Sequence, residues 1–356
     1  MADPGGRGRW WDRGDRPPVR VPVTVAEAAV RRVLASHGVP DQAAVVTARQ
    51  LVEADMRGYP AHGVERVLQM SEMLSLGTLA AGAAITEERT TPATAVVDAG
   101  GGLGPPGVTR AVALARTIVS QYGIAAVALR GAGHVGILAT WVEQAAGTDS
   151  FALMVSSSEP AVVAPGGKTP LFGTNPLAFG WPDAAGGHVV ADFSTSALSR
   201  SELLRRARLG LPLPPGTAVD RDGRPTLDAR EAVDGGMLPF GYGHKGVLLS
   251  LLVSMLAGPL AGGPPAHEVA GTRRADRAPD KAEVLLVIGL DAMADAGHYT
   301  QQAERLLSAL EADAPDGFHR PARRSAERRA AALVDGIEIA HEAAQVLWPE
   351  EEAAHG

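Results

Sequence analysis

The chain has 356 residues, 46% of them hydrophobic, and its 33 Lys and Arg against 40 Asp and Glu leave a formal net charge of -7. That length and apolar content suit a soluble globular protein with a sizeable core, and the acidic balance gives no overall attraction to nucleic acid or to an anionic membrane. Cysteine is absent, which excludes disulfides, thiolate nucleophiles and cysteine metal sites and makes the cytoplasm the default compartment.

The first 21 residues, rich in Arg, Gly and Pro, lack the apolar core of a secretory signal and read as a flexible tail. Thr24 and Glu27 form a capping-box signature for a helix that ends at Gly38, and a second helix is expected from Asp41 to about Arg57. A third should run from Ala61 to about Leu76, with His62 and Arg66 one turn apart on the same face. The first strand signal is "TAVVDAG" from Thr94. Helices and strands then alternate through "VTRAVALARTIVSQYG", "IAAVAL", "GILATWVEQAAG" and "FALMVSS", which is the pattern of an α/β fold. Beyond Phe151, "HVVADF" reads as a strand, "SALSRSELLRRARLG" as a helix, and the Pro-, Gly- and Asp-rich "GLPLPPGTAVDRDGRP" as a loop. The run "VLLSLLVSMLAGPLAG" from Val247 is broken by Ser, Gly and Pro and falls short of the roughly 20 residues of a membrane span, so it reads as a buried core helix. A second loop over 258–281, the strand "AEVLLVIGLD" and two amphipathic helices, from about Thr300 and about Ser325, close the chain.

The motif "GLGPPG", Gly102 to Gly107, has the form and place of a dinucleotide-binding fingerprint. Arg130 stands where a ribose-binding acid is expected, and two prolines occupy the turn whose N–H groups should cradle a pyrophosphate. An ordinary Rossmann site is therefore set aside. His134 follows a glycine-rich turn at a strand end, with the start of the next helix behind it offering N–H groups to a phosphate. Asp192 ends a strand, and His244 with Lys245 opens the apolar helix. Cations, helix starts and a carboxylate thus gather at element ends, as they do in the anionic-ligand sites of α/β proteins. The histidines are scattered and none has H-x-x-x-H spacing, so no metal site is expected.

Taken in order, "RGYPAHGVERV", "GHVGILATWVEQAA", "GTNPLAFGWP", "ADFSTS" and "GHKGVLLSLLVSMLAG" resemble the malate/L-lactate dehydrogenase-like family of NAD(P)-dependent oxidoreductases. That family includes ureidoglycolate and sulfolactate dehydrogenases and Δ1-piperideine-2-carboxylate reductases. The resemblance runs from about Val23 to about Ala344. It implies a non-Rossmann α/β fold, with a largely antiparallel cofactor-binding sheet over 86–299 and a helical substrate and dimerisation region built from both chain ends, 22–85 with 300–356. It also implies a homodimer. By the same resemblance His62 is the proton donor and Glu202 the catalytic carboxylate, while Arg66, Thr174, Arg200 and Ser201 contact a small carboxylated substrate. NAD or NADP is then held by His134, Val135, Gly136, Ile137, Leu138, Ser158, Asp192, Phe193, Ser194, His244, Lys245, Pro321 and Arg323. The residue types suit these roles, since an imidazole can protonate a heteroatom left charged by a hydride and a guanidinium can grip a carboxylate bidentately.

Three departures from the family pattern stand out. Ala61 replaces a serine that relays to the histidine, Ser201 replaces a glycine, and Pro321, Ala322 and Arg323 stand where the family reads Pro-Gly-Glu. Arg323 suits a 2'-phosphate and so favours NADPH. The expected activity is hydride transfer between nicotinamide and a small 2-oxo/2-hydroxy acid pair. One alternative is NADPH-dependent reduction of a cyclic imine carboxylate, in which the same site protonates nitrogen; the other is a catalytically weakened member that only binds.

Overall fold

The computed structural model describes residues 17–349 apart from 273, 315 and 316, so residues 1–16 of the expected tail lie outside the described residues. The end of that tail is a strand, β1 (Val19–Val21), followed by helices α1 (Val23–Ser36) and α2 (Asp41–Met56), a 3-10 turn over Pro60–His62 and α3 (Arg66–Leu76). Next come β2 (Thr86–Thr91), β3 (Thr94–Gly102), α4 (Gly104–Tyr122), β4 (Ile124–Ala132), α5 (Leu138–Ala146) and β5 (Ser150–Ser156). Short strands β6 (Val162–Val163) and β7 (Pro170–Phe172) precede β8 (Pro176–Pro182), β9 (His188–Ser194), α6 (Arg200–Leu209), β10 (Ala218–Val219), α7 (Ala229–Asp234) and β11 (Gly236–Met237). The chain continues through α8 (His244–Leu256), β12 (Ala282–Gly289), α9 (Ala296–Asp313), α10 (Arg323–Asp335), β13 (Ile337–Ile339) and α11 (His341–Leu347).

Seven strands form the main sheet in the order β2-β3-β4-β12-β5-β8-β9, and within it only β3 and β4 run parallel. That one parallel pair is joined by α4, because parallel neighbours need a crossover whereas antiparallel ones can fold back through turns. Helices α4 and α5 cover one face, where Ile118, Leu129, Trp141, Met154 and Leu285 are fully buried, each side chain contributing about 2 kcal/mol relative to exposure. The glycines of the fingerprint-like motif serve this packing. A Cβ on Gly104 would fall 2.4 Å from the His134 carbonyl oxygen, and one on Gly107 would fall 3.1 Å from Ala99 and Leu129. Arg130 pairs with Asp98 at 3.0 Å.

A second core joins the two chain ends. Leu34, Leu51, Val67 and Met70 pack with Ile337, Ile339 and Leu347, and β1 pairs antiparallel with β13. This helical unit is clamped to α5 by Arg57, the C-cap of α2, which forks onto Glu143 at 2.6 and 2.7 Å and reaches Glu53 at 2.7 Å. Helix α9 does not share that core. Its Tyr299 meets Trp181 of β8 edge-on at 6.4 Å.

Several sequence expectations change here. Strand pairing of Val19–Val21 brings the chain to Pro22, which becomes the N-cap of α1, so Thr24 and Glu27 lie inside the helix and form no capping box. Strand β2 is exposed at every position and shows no alternation to read. Helix α8 is not a buried core helix. Gly246, Ser250, Val253 and Ser254 face the protein, whereas Leu248, Leu251, Leu252 and Met255 are 41–58% exposed. By length and composition alone the stretch His244–Ala261 is apolar enough to cross a membrane, with a mean hydropathy of 1.4.

Candidate active site

The segment after α2 is bent by one carboxylate. Asp55 accepts the Val64 N–H at 2.7 Å, and Gly63 lies so close that a Cβ there would fall 2.2 Å from the same carboxylate. With φ -91° and ψ -153° at Gly63, the expected third helix is broken: His62 closes the 3-10 turn and Arg66 opens α3. The two residues do not share a helix face. They meet instead at a cavity of about 120 Å³, also lined by His134, Val135, Gly136, Leu138, Ser158, Glu159, Thr174, Arg200 and Lys281.

Each wall of the cavity is fixed locally. Arg66 is 3% exposed, and its guanidinium donates to the Ala61 carbonyl and to Gln69 Oε1, both at 2.8 Å. His62 Nδ1 lies 3.0 Å from His134 Nε2, and the Gly136 N–H donates to His134 Nδ1 at 3.2 Å. The Val135 carbonyl in turn accepts the Trp141 indole N–H at 2.7 Å. Thr174 and Ser158 hydroxyls are 3.2 Å apart. The following Asn175 holds a left-handed φ of 42° and is anchored to α8 through Ser254 Oγ at 2.7 Å. A non-glycine residue in that conformation is a local strain of the kind that clusters at functional loops.

Behind the cavity wall Lys281 belongs to a buried pair that the sequence reading missed. Lys281 contacts the carboxylate of Glu283, which also accepts the Ser156 hydroxyl at 3.0 Å. Burial pushes the Lys281 ammonium down to about 7, opposed by Glu159 and reinforced by Arg66. The Lys-x-Glu spacing at the edge of an apolar strand was the available signal, because residues two apart in an extended chain share a face.

Other expected site residues stand elsewhere. Ile137 is the N-cap of α5, and its carbonyl accepts from Gln50 Nε2 at 3.2 Å. The N-terminus of α5 is taken: Asp192 on β9 accepts the Ala139 N–H at 2.9 Å, so a carboxylate occupies the place expected to receive a phosphate. Burial lifts the Asp192 carboxyl to about 6, against the lowering effect of the Ala139 and Leu138 N–H groups. Phe193 and Ser194 follow on β9, with Ser194 Oγ accepting from Ser196 Oγ at 3.0 Å. His244 and Lys245 start α8 on exposed positions. Pro321 precedes α10, and Arg323 pairs with Glu327 at 3.3 Å. Between them Ala322 holds φ 70°, a conformation that favours glycine, as expected at the position where the family pattern reads Gly.

Glu202 does not line the cavity. Its N–H is capped by Ser199, and its carboxylate is held by Arg205 at 2.8 Å and Arg206 at 2.7 Å, with the Arg205 hydrogen bond keeping its carboxyl below the usual range. Ser201 bonds Ser199 at 3.0 Å in the same turn. An arginine at both the third and fourth positions after a glutamate claims it for its own helix. Among the described residues there is no cluster of three or more His, Asp or Glu that could hold a metal ion.

The pattern of a family described as malate/L-lactate dehydrogenase matches residues 21–347. The chain belongs to that family. Among its relatives, the L-sulfolactate dehydrogenase of Methanothermobacter thermautotrophicus is 33% identical over 78% of this chain and 81% of its own length. A Δ1-pyrroline-2-carboxylate/Δ1-piperideine-2-carboxylate reductase of Pseudomonas syringae pv. tomato is 36% identical over 87% and 90%. The solved structure of the sulfolactate dehydrogenase of Methanocaldococcus jannaschii superposes with a TM-score of 0.86 at 30% identity, covering 92% of this chain and 95% of that one. These malate/L-lactate dehydrogenase relatives are thus dehydrogenases and reductases.

Proposed function

We propose that this malate/L-lactate dehydrogenase family member is an NAD(P)-dependent oxidoreductase acting on a small 2-oxo/2-hydroxy acid pair. The observation that carries the reading is the meeting of Arg66, Arg200 and His62 around one small cavity that the turn from His134 to Leu138 also walls. Guanidiniums suit a carboxylate, and an imidazole beside them suits the heteroatom on the neighbouring carbon.

The residues present fit a nicotinamide. Ser158 and Thr174 carry hydroxyls that can each donate and accept, as a carboxamide requires, and Val135 and Leu138 offer apolar surface to a ring. When bound, the cofactor supplies or takes the hydride. The chain's own residues do the rest: Arg66, fixed by Ala61 and Gln69, orients the carboxylate with Arg200 and Thr174, and His62 provides the proton. In this reading the largely antiparallel sheet within residues 86–299, rather than a doubly wound one, carries the cofactor, with Asp192, His244, Lys245 and Pro321 on its side of the site. The exposed Arg323 guanidinium favours NADPH. The apolar face of α8 is covered by a second copy in a cytoplasmic homodimer, because an exposed patch of four large side chains suits an interface.

Reduction of a cyclic imine carboxylate is the second reading, favoured by Glu159 on the cavity wall, a carboxylate that suits an iminium N–H. The experiment is a panel of 2-oxo acids and cyclic imine carboxylates, each with NADH and with NADPH, followed by nicotinamide absorbance. Turnover of the oxo acids supports the main reading, and turnover of the imines alone moves the chain to the second. Cofactor binding without turnover of either class would contradict both and leave a binding protein.

A further inference from the structure

The two cavity histidines touch through ring nitrogens whose roles can be read from their neighbours. A backbone N–H only donates, and that of Gly136 points at His134 Nδ1, 3.2 Å away. Nδ1 is therefore the acceptor nitrogen, and neutral His134 carries its proton on Nε2. That Nε2 lies 3.0 Å from His62 Nδ1, so His134 donates, His62 Nδ1 accepts, and the proton of neutral His62 is left on Nε2. Resting on the reading of His62 as proton donor, we propose that His134 is a positioning residue that fixes His62 in this tautomer, in place of the serine absent at position 61.

The surroundings of the pair support a fixed arrangement. Ala61 has no hydroxyl to offer, and its carbonyl accepts from Arg66. The His134 turn is held from three sides. Its carbonyl packs against Gly104, where a Cβ would fall 2.4 Å away, and the Val135 carbonyl accepts from the buried Trp141. On the third side Gly136, with φ 85°, lies against Gln50 so tightly that a Cβ there would fall 2.7 Å from its side chain. The two imidazoles stack with centroids 5.2 Å apart and planes 27° from parallel. A ring held this firmly can hold another, much as an outer carboxylate or carbonyl fixes the tautomer of a catalytic or metal-bound histidine.

The consequence for the reaction is specific. In the direction of reduction, the substrate heteroatom forms its bond to the Nε2 proton of His62 as that N–H bond breaks. The negative charge this leaves on the ring, shared between Nε2 and Nδ1, is stabilised at Nδ1 by the His134 N–H, and water then returns a proton to Nε2 and leaves as hydroxide to solvent. His134 itself neither gains nor loses a proton. A neutral imidazole acting as the hydrogen-bonding electrophile is established chemistry in other enzymes.

The test uses the full chain labelled with 15N-histidine, with long-range imidazole correlation spectra assigned through His62→Gln, alongside steady-state kinetics. Wild-type His62 should be neutral with its proton on Nε2. His134→Leu should convert it to a tautomer mixture and lower kcat about 100-fold with the substrate KM changed less than about threefold. His134→Gln, whose amide N–H can replace the imidazole Nε2–H, should restore the tautomer and bring kcat back to within about tenfold of wild type. An unchanged His62 tautomer in His134→Leu, or a His134→Gln variant as impaired as His134→Leu, would overturn the proposal. The tautomer is read without turnover. A shift in His134→Leu in a protein inactive on every substrate would therefore support the positioning role while counting against the enzymatic reading.

Discussion

Asp192 combines a buried carboxylate with a helix N-terminus, and its replacement by Asn gives a quantitative test of how the site is held. The carboxyl rises from its ordinary 3.8 to about 6, burial outweighing the Ala139 and Leu138 N–H groups. For an acid whose folded value lies above its unfolded one, the associated stability is full below the unfolded value and is lost as pH rises through the folded one. At neutral pH the ionised group therefore costs up to about 3 kcal/mol, an upper bound because Asp192 keeps some solvent contact. Asp192→Asn preserves an oxygen for the Ala139 N–H and removes the charge. Measured by urea unfolding without cofactor, the stability of the variant relative to wild type should increase by about 1.4 kcal/mol between about pH 5 and pH 8, with nearly all of the change below about pH 7. A difference that stays flat across that range, or narrows with rising pH, would refute the account of Asp192 as a carboxylate kept at a cost in stability.

Three further outcomes follow from the same geometry. Gly104→Ala should push the His134 turn away from α4, lowering stability by about 2 kcal/mol in denaturant titration and reducing turnover as well. Glu202→Gln should leave kcat within about threefold of wild type, because that carboxylate serves Arg205 and Arg206 on its own helix; a large loss would return Glu202 to the catalytic machinery. Leu252→Asp on the exposed face of α8 should convert a dimer to monomers in sedimentation velocity, and a wild-type chain that sediments as a monomer would remove that interface from the account.

Much of the fold was legible because its cues are local. Apolar periodicity and glycine punctuation placed α2, α4, β4, α5, β5 and β12 close to where they lie. What was hidden depends on distant partners. Strand β1 exists because β13, more than 300 residues away, pairs with it, and the break at Gly63 is imposed by the Asp55 carboxylate. Helix α8 misled because its apolar residues stand on an exposed face, and composition does not distinguish such a face from a core. Within the site, His62, Arg66, Thr174 and Arg200 were reachable from ordered motifs, and the cavity brings them together. Glu202 lies outside the cavity, held by Arg205 and Arg206, a pairing that alignment to a motif does not register. Lys281 was overlooked because its only signal is a two-residue spacing beside an apolar strand. The contact between His62 and His134, 72 residues apart, leaves no trace in either local segment.

The central claim, that His62 provides the proton in a nicotinamide-dependent reaction, is tested most directly by the kcat of His62→Gln at saturating cofactor, with cofactor affinity measured by calorimetry on the same preparation. The account predicts a fall in kcat of at least about 100-fold with a cofactor dissociation constant within about threefold of wild type. Unchanged turnover in a variant that binds cofactor normally would contradict it and require another proton donor in the cavity.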